Sequence, residues 1–180
     1  LAVQMRVLQD KLPPFPIEVA KETVAQELGL PAEHVFSEFS EPVAAASIAQ
    51  VHQAKIAGTD EIVAVKVLRP RIEKAFRKDI DAFYLAAKMI ELLSPASRRL
   101  RPMEVITHFE GVVLGELDLR LESSAASEFA ANTGDDVGFT LPAVKWDLSA
   151  RRVMTLGWAD GVPLGDNDAI DAAGHDRAVL

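Results

Sequence analysis

The spacing of hydrophobic residues predicts helices over much of this 180-residue chain. Apolar side chains three and four positions apart predict a helix over about 17–28, a long one from Ile72 to about Ile90, and another from Met103 through Phe129. The opening stretch "LAVQMRVLQDKL" has the same spacing, and the prolines after it end the predicted helix because proline cannot continue the backbone hydrogen-bond ladder. Since helical spacing is present near both ends, we expect the chain to begin and end inside a domain.

Between Phe36 and Leu68 the period shortens to that of β-strands. The apolar runs "IAQVHQAKIA" and "IVAVKVL" flank Gly58-Thr59-Asp60-Glu61, which has the composition of a hairpin turn. Two further short strands are predicted around "PAVKWD" and "RVMTLGW", joined by a polar turn. A few strands among longer helices predict an α+β fold, in which helices cover one small antiparallel sheet.

One lysine interrupts the apolar strand "IVAVKVL". Because alternate residues of a strand face opposite sides, Lys66 shares a face with Ala64 and Leu68, whereas Val65 and Val67 face the other side. A lysine on a half-apolar face indicates an anionic partner, which could be a carboxylate, a phosphate or both. The alternative is a charged residue that protects an edge strand. The apolar neighbours favour a central strand.

A bend of small residues precedes these strands. Ala44, Ala45, Ala46 and Ser47 form the run "AAAS", whose small side chains permit close approach of a phosphate to backbone N–H groups. Alanine resists positive φ, so such a bend should be stiffer than a glycine-rich loop. Simple packing is the alternative explanation for this run.

Acidic residues are concentrated in the segment "GELDLRLES". On one continuous helix Asp118 and Glu122 would lie on the same face, and this like-charge pair would destabilise the helix by about 0.2–0.5 kcal/mol unless a cation faced it. Glu116 would point elsewhere and lie over Arg120. A solvated helix face is the alternative for all three acids.

Composition limits the possible functions. The formal net charge is -8, from 19 basic and 27 acidic residues, which argues against a broad electrostatic surface for nucleic acid or anionic lipid. No cysteine is present, so disulfides and thiolate metal sites are excluded. No apolar run is long enough for a membrane-spanning helix. We assign no metal site, because the four histidines lack metal-ligand spacing: His34, His52, His108 and His175.

Several of these segments occur together, in order, in one known family. The segments are "LQDKLPPFP", "AAASIAQVHQA", "VAVKVLRP", "RRLRP", "ELDLRLESSAASEF" and "VMTLGWADGVPL". Over about 8–166 the chain resembles the UbiB-type atypical kinase-like proteins, also called the aarF-domain family, and is most similar to the bacterial ubiquinone-biosynthesis branch. The resemblance implies a helical extension over 1–35, a protein-kinase-like amino-terminal lobe with long inserted helices over 36–158, and an inter-lobe link with the start of the second lobe over 159–180. Most of the second lobe would lie beyond this segment.

The resemblance also implies roles for particular residues. Ala44, Ala45, Ala46 and Ser47 would replace the glycine-rich loop of kinases over the nucleotide, Lys66 would face its phosphates, and Glu122 would pair with that lysine. Glu116 and Asp118 would form a Glu-x-Asp element that meets a Lys-x-Gly-Gln helix expected upstream of residue 1.

The implied ligand is ATP or ADP with Mg²⁺, and the metal ligands and the catalytic acid are expected downstream of residue 180. This segment alone should therefore not catalyse phosphoryl transfer. The inter-lobe link reads "TLGWADG" where methionine-glutamate is commoner in the family, which leaves the adenine contacts around 156–158 unassigned.

The implied function is that of an atypical kinase or ATPase that transfers phosphorus-containing groups and supports ubiquinone (coenzyme Q) biosynthesis. The resemblance places the full-length protein at the cytoplasmic side of the inner membrane, through an anchor outside this segment, with lipid or quinone-biosynthesis proteins as partners and no nucleic acid. One alternative is a non-catalytic scaffold whose shape depends on nucleotide occupancy. A second alternative is a small-molecule kinase of the wider kinase-like superfamily.

Overall fold

The computed structural model describes residues 13–136, 138–162 and 165–175, apart from the side chain of residue 95. The predicted helix over the opening stretch lies outside the described residues. The helices and strands in chain order are α1 (Ile17–Leu28), α2 (Ala32–Val35), β1 (Phe36–Ala45), β2 (Ala49–Ile56), β3 (Ile62–Leu68), α3 (Ile72–Leu93), α4 (Pro102–Glu116), α5 (Leu119–Asn132), β4 (Val153–Gly157) and α6 (Asn167–Ala172). Short 3-10 helices occupy Pro95–Leu100 and Trp146–Leu148.

The four strands form one antiparallel sheet in the order β1-β2-β3-β4. The turn between β2 and β3 lies where the sequence predicted it, with Gly58 at φ 76°. Because β3 is hydrogen-bonded to β2 on one side and to β4 on the other, it is a central strand, and the edge-strand explanation for its lysine is wrong. The predicted α+β class is confirmed.

One face of the sheet is covered by α1. Val63, Val65 and Val67 alternate along β3 and are fully buried against Ala20 and Val24 of this helix. Each buried valine contributes on the order of 1.5–3 kcal/mol relative to an exposed one. This burial fixes which residues of β3 face away from α1, and Lys66 is among them.

The opposite face of the sheet is covered by α5. Leu119 at the start of that helix packs in a buried cluster with Ala49, Leu68 and Met154, which belong to three different strands. The residues of this cluster are at most 2% exposed. The amino-terminal turn of α5 is therefore fixed against the face of the sheet that carries Lys66.

The predicted helix from Met103 through Phe129 is wrong in one respect, because it is two helices. The helix α4 ends at Glu116 with Leu117 as its C-cap, Asp118 is extended (φ -123°, ψ 93°), and α5 starts at Leu119. Leu117 and Leu119 are both fully buried. In a continuous helix two residues two positions apart point about 200° apart, so both could not be buried against the same body. The break lets both leucines reach the interior.

The predicted strand around "PAVKWD" is also wrong. Only an isolated bridge between Val144 and Leu156 forms, and Trp146–Leu148 is a 3-10 helix. Two backbone bonds join this segment to β4, from the Lys145 N–H to the carbonyl of Thr155 at 2.8 Å and from the Gly157 N–H to the carbonyl of Ala143 at 2.9 Å. Hydroxyl side chains then bond the next carbonyls, since Ser149 Oγ donates to Lys145 at 2.8 Å and Thr155 Oγ1 donates to Leu148 at 2.6 Å. Such local bonds compete with sheet pairing. "RVMTLGW" does contain a strand, β4.

Candidate functional site

Lys66 and Glu122 form an ion pair between the sheet and α5. The lysine Nζ donates to both carboxylate oxygens, at 2.6 Å to Oε1 and 2.7 Å to Oε2. The lysine side chain is 28% exposed and the glutamate side chain 46% exposed. These two bonds use two of the three ammonium protons, so one proton can still be donated to another oxygen. The pair is open enough for an incoming anion to reach it.

The first turn of α5 positions Glu122. Asp118 caps this helix by accepting the N–H of Arg120 at 3.2 Å, and Leu119 fixes the turn in the core. Ser123 is fully buried, and its hydroxyl donates to the carbonyl of Leu119 at 2.8 Å. A carboxylate in the first turn also interacts favourably with the helix dipole. Glu122 is thus held by the cap, the core and the dipole together.

The predicted pairing of Asp118 with Glu122 on one helix face is wrong. Asp118 precedes α5, and its carboxylate accepts Arg120 Nε at 2.8 Å and Arg120 Nη2 at 2.6 Å. The hydrogen bond from Arg120 is the main reason that the pKa of the Asp118 carboxyl lies below its usual range. Arg120 therefore does not lie under Glu116, as predicted for a continuous helix. The break at Asp118 explains both differences.

Glu116 is exposed at the carboxyl end of α4, where a negative charge is opposed by the helix dipole. Within the described part of the chain its carboxylate has no hydrogen bond or ion pair. A cation from elsewhere would relieve this unfavourable charge. The Glu-x-Asp role of Glu116 and Asp118 stays a prediction.

The alanine-rich bend lies at the end of the β1–β2 hairpin. Ala44 and Ala45 end β1, and the Ala46 N–H donates to the carbonyl of Ala49 at 2.8 Å, which closes the bend around Ser47. Ala46 and Ser47 are exposed. Among the described residues other than glycine, positive φ occurs only at 71 and 101, so the alanines keep an ordinary backbone conformation.

The sheet register places this bend and the ion pair on one face. Ala44 pairs with Val51, and Val51 pairs in turn with Lys66. Paired residues of antiparallel strands project to the same face, and neighbouring strands lie about 4.8 Å apart. Ala44 and Lys66 therefore face the same side of the sheet, about 10 Å apart. The structure brings together the bend, Lys66 and Glu122, and leaves Glu116 at the adjoining helix end.

Sequence reasoning missed a buried polar group on the other face of the sheet. Gln50 and His52 of β2 are at most 1% exposed, and they pair with Val67 and Val65. Gln50 Nε2 lies 2.9 Å from His52 Nε2, and His52 Nδ1 lies 2.8 Å from the carbonyl of Ser40. The amide nitrogen of Gln50 can only donate and the Ser40 carbonyl can only accept, so His52 accepts at Nε2 and donates from Nδ1.

Burial is the main reason that the pKa of His52 lies below its usual value, which keeps the ring in the neutral form that these bonds require. Polar residues two positions apart on the buried face of a predicted strand were the sequence signal for this pair.

The described residues contain no group of three or more His, Asp or Glu side chains that could hold a metal ion. In the same residues, no helix has both the length and the apolar character needed to cross a bilayer.

Comparison with known proteins identifies relatives of the whole chain. Three relatives are each named "Probable protein kinase UbiB" and are 37% identical: those of Marinobacter nauticus (100% of this chain, 33% of the relative), Pseudomonas aeruginosa (94% and 32%) and Shewanella piezotolerans (99% and 33%). The chain therefore spans about a third of the length of these relatives.

A solved structure of Rv3197 from Mycobacterium tuberculosis in complex with erythromycin has a similar fold. Its TM-score is 0.67 at 30% identity, over 91% of this chain and 39% of Rv3197. The family model for the ABC1 atypical kinase-like domain matches residues 7–180. The expected kinase-like amino-terminal lobe and the resemblance to UbiB-type proteins are thus confirmed. The chain belongs to the ABC1 atypical kinase-like domain family.

Proposed function

We propose that the full-length protein binds ATP through this lobe and acts as an atypical kinase or ATPase that supports ubiquinone biosynthesis. The observation that carries the proposal is the Lys66–Glu122 ion pair on a central strand, facing the same side as the alanine-rich bend. The relatives named as probable UbiB protein kinases support the same assignment.

The described residues fit a nucleoside triphosphate. The ammonium of Lys66 is half-buried, is held by a carboxylate and keeps one proton to donate to a phosphate oxygen. The exposed small residues Ala46 and Ser47 leave room for a ligand beside the backbone. Bound MgATP would supply the transferable phosphoryl group, and we place its metal ligands in the part of the protein beyond this segment.

In this arrangement Glu122 orients Lys66 rather than reacting. Two hydrogen bonds to one carboxylate restrict the rotation of the lysine side chain, so less conformational entropy is lost when a phosphate binds. The side chain of Ala44 has no acceptor atom that could compete for the ammonium. The lobe therefore binds and orients the phosphates.

The test is the ATP affinity of the full-length protein. Lys66→Ala should weaken ATP binding at least tenfold, as loss of a charge-assisted bond predicts. Lys55→Ala is the matched control, because Lys55 also pairs with an acid, Asp60 at 2.8 Å, but lies opposite Ile62 at the turn end of the hairpin, four residues from Lys66 along β3. Unchanged ATP affinity in a folded Lys66→Ala variant would contradict the proposal.

A scaffold function is the second candidate. The α3–α4 pair exposes apolar side chains near its tip, with Leu92 at 69%, Leu93 at 76% and Leu100 at 71% exposure, which fits presentation to a partner. ATP binding without phosphoryl transfer or hydrolysis, measured with membranes and a quinone-precursor mimic, would favour this candidate. Fractionation of cells that express the full-length protein tests the proposed location at the inner membrane.

A further inference from the structure

Arg69 connects two segments that are far apart in sequence. It follows β3 directly, its Nε donates to the carbonyl of Ala46 at 3.0 Å, and its Nη1 donates to the carbonyl of Pro13 at 3.1 Å. Its backbone N–H donates to the carbonyl of Ile48 at 2.8 Å. One residue thus holds both sides of the alanine-rich bend and the chain before α1.

The segment before α1 is held at a second point by Gln50. Its Oε1 accepts the N–H of Phe15 at 3.1 Å, and its Nε2 donates to the carbonyl of Phe15 at 3.2 Å. The Arg69 guanidinium lies 5.8 Å from the centroid of the Phe15 ring, within the range of a cation–π contact. The segment 13–15 is therefore bound to the sheet by side chains of β2 and of the residue after β3.

The connection made by Arg69 carries a cost in stability. Its Nη2 is buried and has no hydrogen-bond partner among the described residues. A buried donor without a partner destabilises the fold, so a smaller apolar residue would avoid this cost. What the arginine adds is a connection between the bend and segment 13–15.

We propose that Arg69 is a positioning residue that makes the alanine-rich bend and segment 13–15 move as one unit. The position of the bend then depends on how the chain before α1 is held. Because Arg69 is three residues after Lys66 in the chain, it also sets the distance from the bend to Lys66. The consequence for ATP binding rests on the proposed function. The connection itself does not.

Hydrogen exchange in the full-length protein without nucleotide tests the connection. Segment 13–16 contains three prolines, so its one backbone N–H belongs to Phe15 and a peptide over this segment reports that amide alone. Arg69→Ala should speed exchange of both the Phe15 and Ala46 amides about tenfold, the factor expected for loss of one hydrogen bond. Arg69→Lys, which keeps the positive charge and one donor nitrogen, should have a smaller effect. Arg77→Ala, which removes an exposed arginine of α3, should leave both amides unchanged.

Gln50→Met separates a shared movement from two local effects. Methionine keeps the volume but loses both bonds to Phe15 and the bond to His52 Nε2. Gln50 also follows Ala49, whose carbonyl accepts the Ala46 N–H, so the double variant with Arg69→Ala is what separates an effect that passes through Arg69 from a local one. If the two segments move as one, exchange of the Ala46 amide also rises, and the Arg69→Ala, Gln50→Met double variant shows less than the product of the single effects. Faster exchange at Phe15 alone would overturn the proposal, and so would an unchanged Ala46 amide in Arg69→Ala.

ATP affinity gives the readout at the site. Arg69→Ala should raise the Kd for ATP about tenfold, and Arg69→Lys should recover part of that loss. The melting temperature of Arg69→Ala should stay close to that of the control Arg77→Ala. If the wild-type protein fails to bind ATP, the proposed function is wrong, and the exchange experiment still decides the connection. If ATP binds and both Arg69 variants bind it as wild type does, Arg69 does not position the bend for ATP.

Discussion

Replacement of Asp118 by alanine should loosen the first turn of α5 and, with it, Glu122. Asp118 makes two separable contributions, the cap on the N–H of Arg120 and the ion pair with the Arg120 side chain. Loss of a cap costs about 1 kcal/mol. The arginine side chain is 60% exposed, so solvent screens the ion pair and it adds little to the cap. The expected loss, dominated by the cap, is about 1–2 kcal/mol.

Local hydrogen exchange in the full-length protein measures this loss directly. A change of about 1–2 kcal/mol corresponds to a fivefold to thirtyfold faster exchange of the α5 amides that open with the first turn. Asp118→Asn is the matched control, because asparagine caps a helix about as well as aspartate but removes the charge. Asp118→Asn should therefore recover most of the protection.

Two outcomes would refute this reasoning. If Asp118→Asn is as damaging as Asp118→Ala, the charge rather than the cap holds α5. If neither variant changes exchange, the buried contacts of Leu119 and Ser123 are sufficient to fix the turn. Asp166→Ala, which removes the comparable cap on the Ala169 N–H of α6, shows whether any effect is specific to α5.

Three further predictions follow from the same structure. Glu122→Gln should weaken ATP binding about tenfold with the fold intact, because a neutral amide orients the lysine poorly, and wild-type titration curves would count against the pair. Because the pKa of His52 is lowered, the unfolded state binds more protons than the folded state below about pH 6.5, so stability should fall as the pH drops through that region. His52→Phe should flatten this pH dependence of the melting temperature, whereas His108→Phe, at an exposed position, should not. Leu119→Ala should lower the free energy of unfolding by about 2–5 kcal/mol, measured by denaturant titration. Leu121 is 58% exposed, so Leu121→Ala should lower it by far less, and equal losses would contradict the placement of α5.

The sheet and its lysine could be predicted because the signals are local. Strand alternation around Lys66 and the turn at Gly58 depend on neighbours a few positions away, and the structure has both. The pairing of Lys66 with Glu122, 56 residues apart, was implied by the family resemblance, whereas charge alone left a solvated helix face as the alternative.

Other features depend on distant contacts that no local pattern contains. The break at Asp118 arises because Leu117 and Leu119 are both buried, and local helix propensity does not record that. The bonds from Gln50 and Arg69 to the segment before α1 join residues 35 and 56 positions apart. Glutamine and arginine are ordinary surface residues by composition, so only the packed structure shows that these two bind backbone groups.

The break between α4 and α5 has a consequence for how the lobe tolerates change. In one continuous helix, each residue inserted upstream would rotate Glu122 by about 100° around the axis and carry it away from Lys66. Here the orientation of α5 is fixed by the Asp118 cap and the buried Leu119, so a change in the length of α3 or α4 would not rotate Glu122 about the helix axis. The length of the α3–α4 pair is thereby separated from the geometry of the Lys66–Glu122 ion pair.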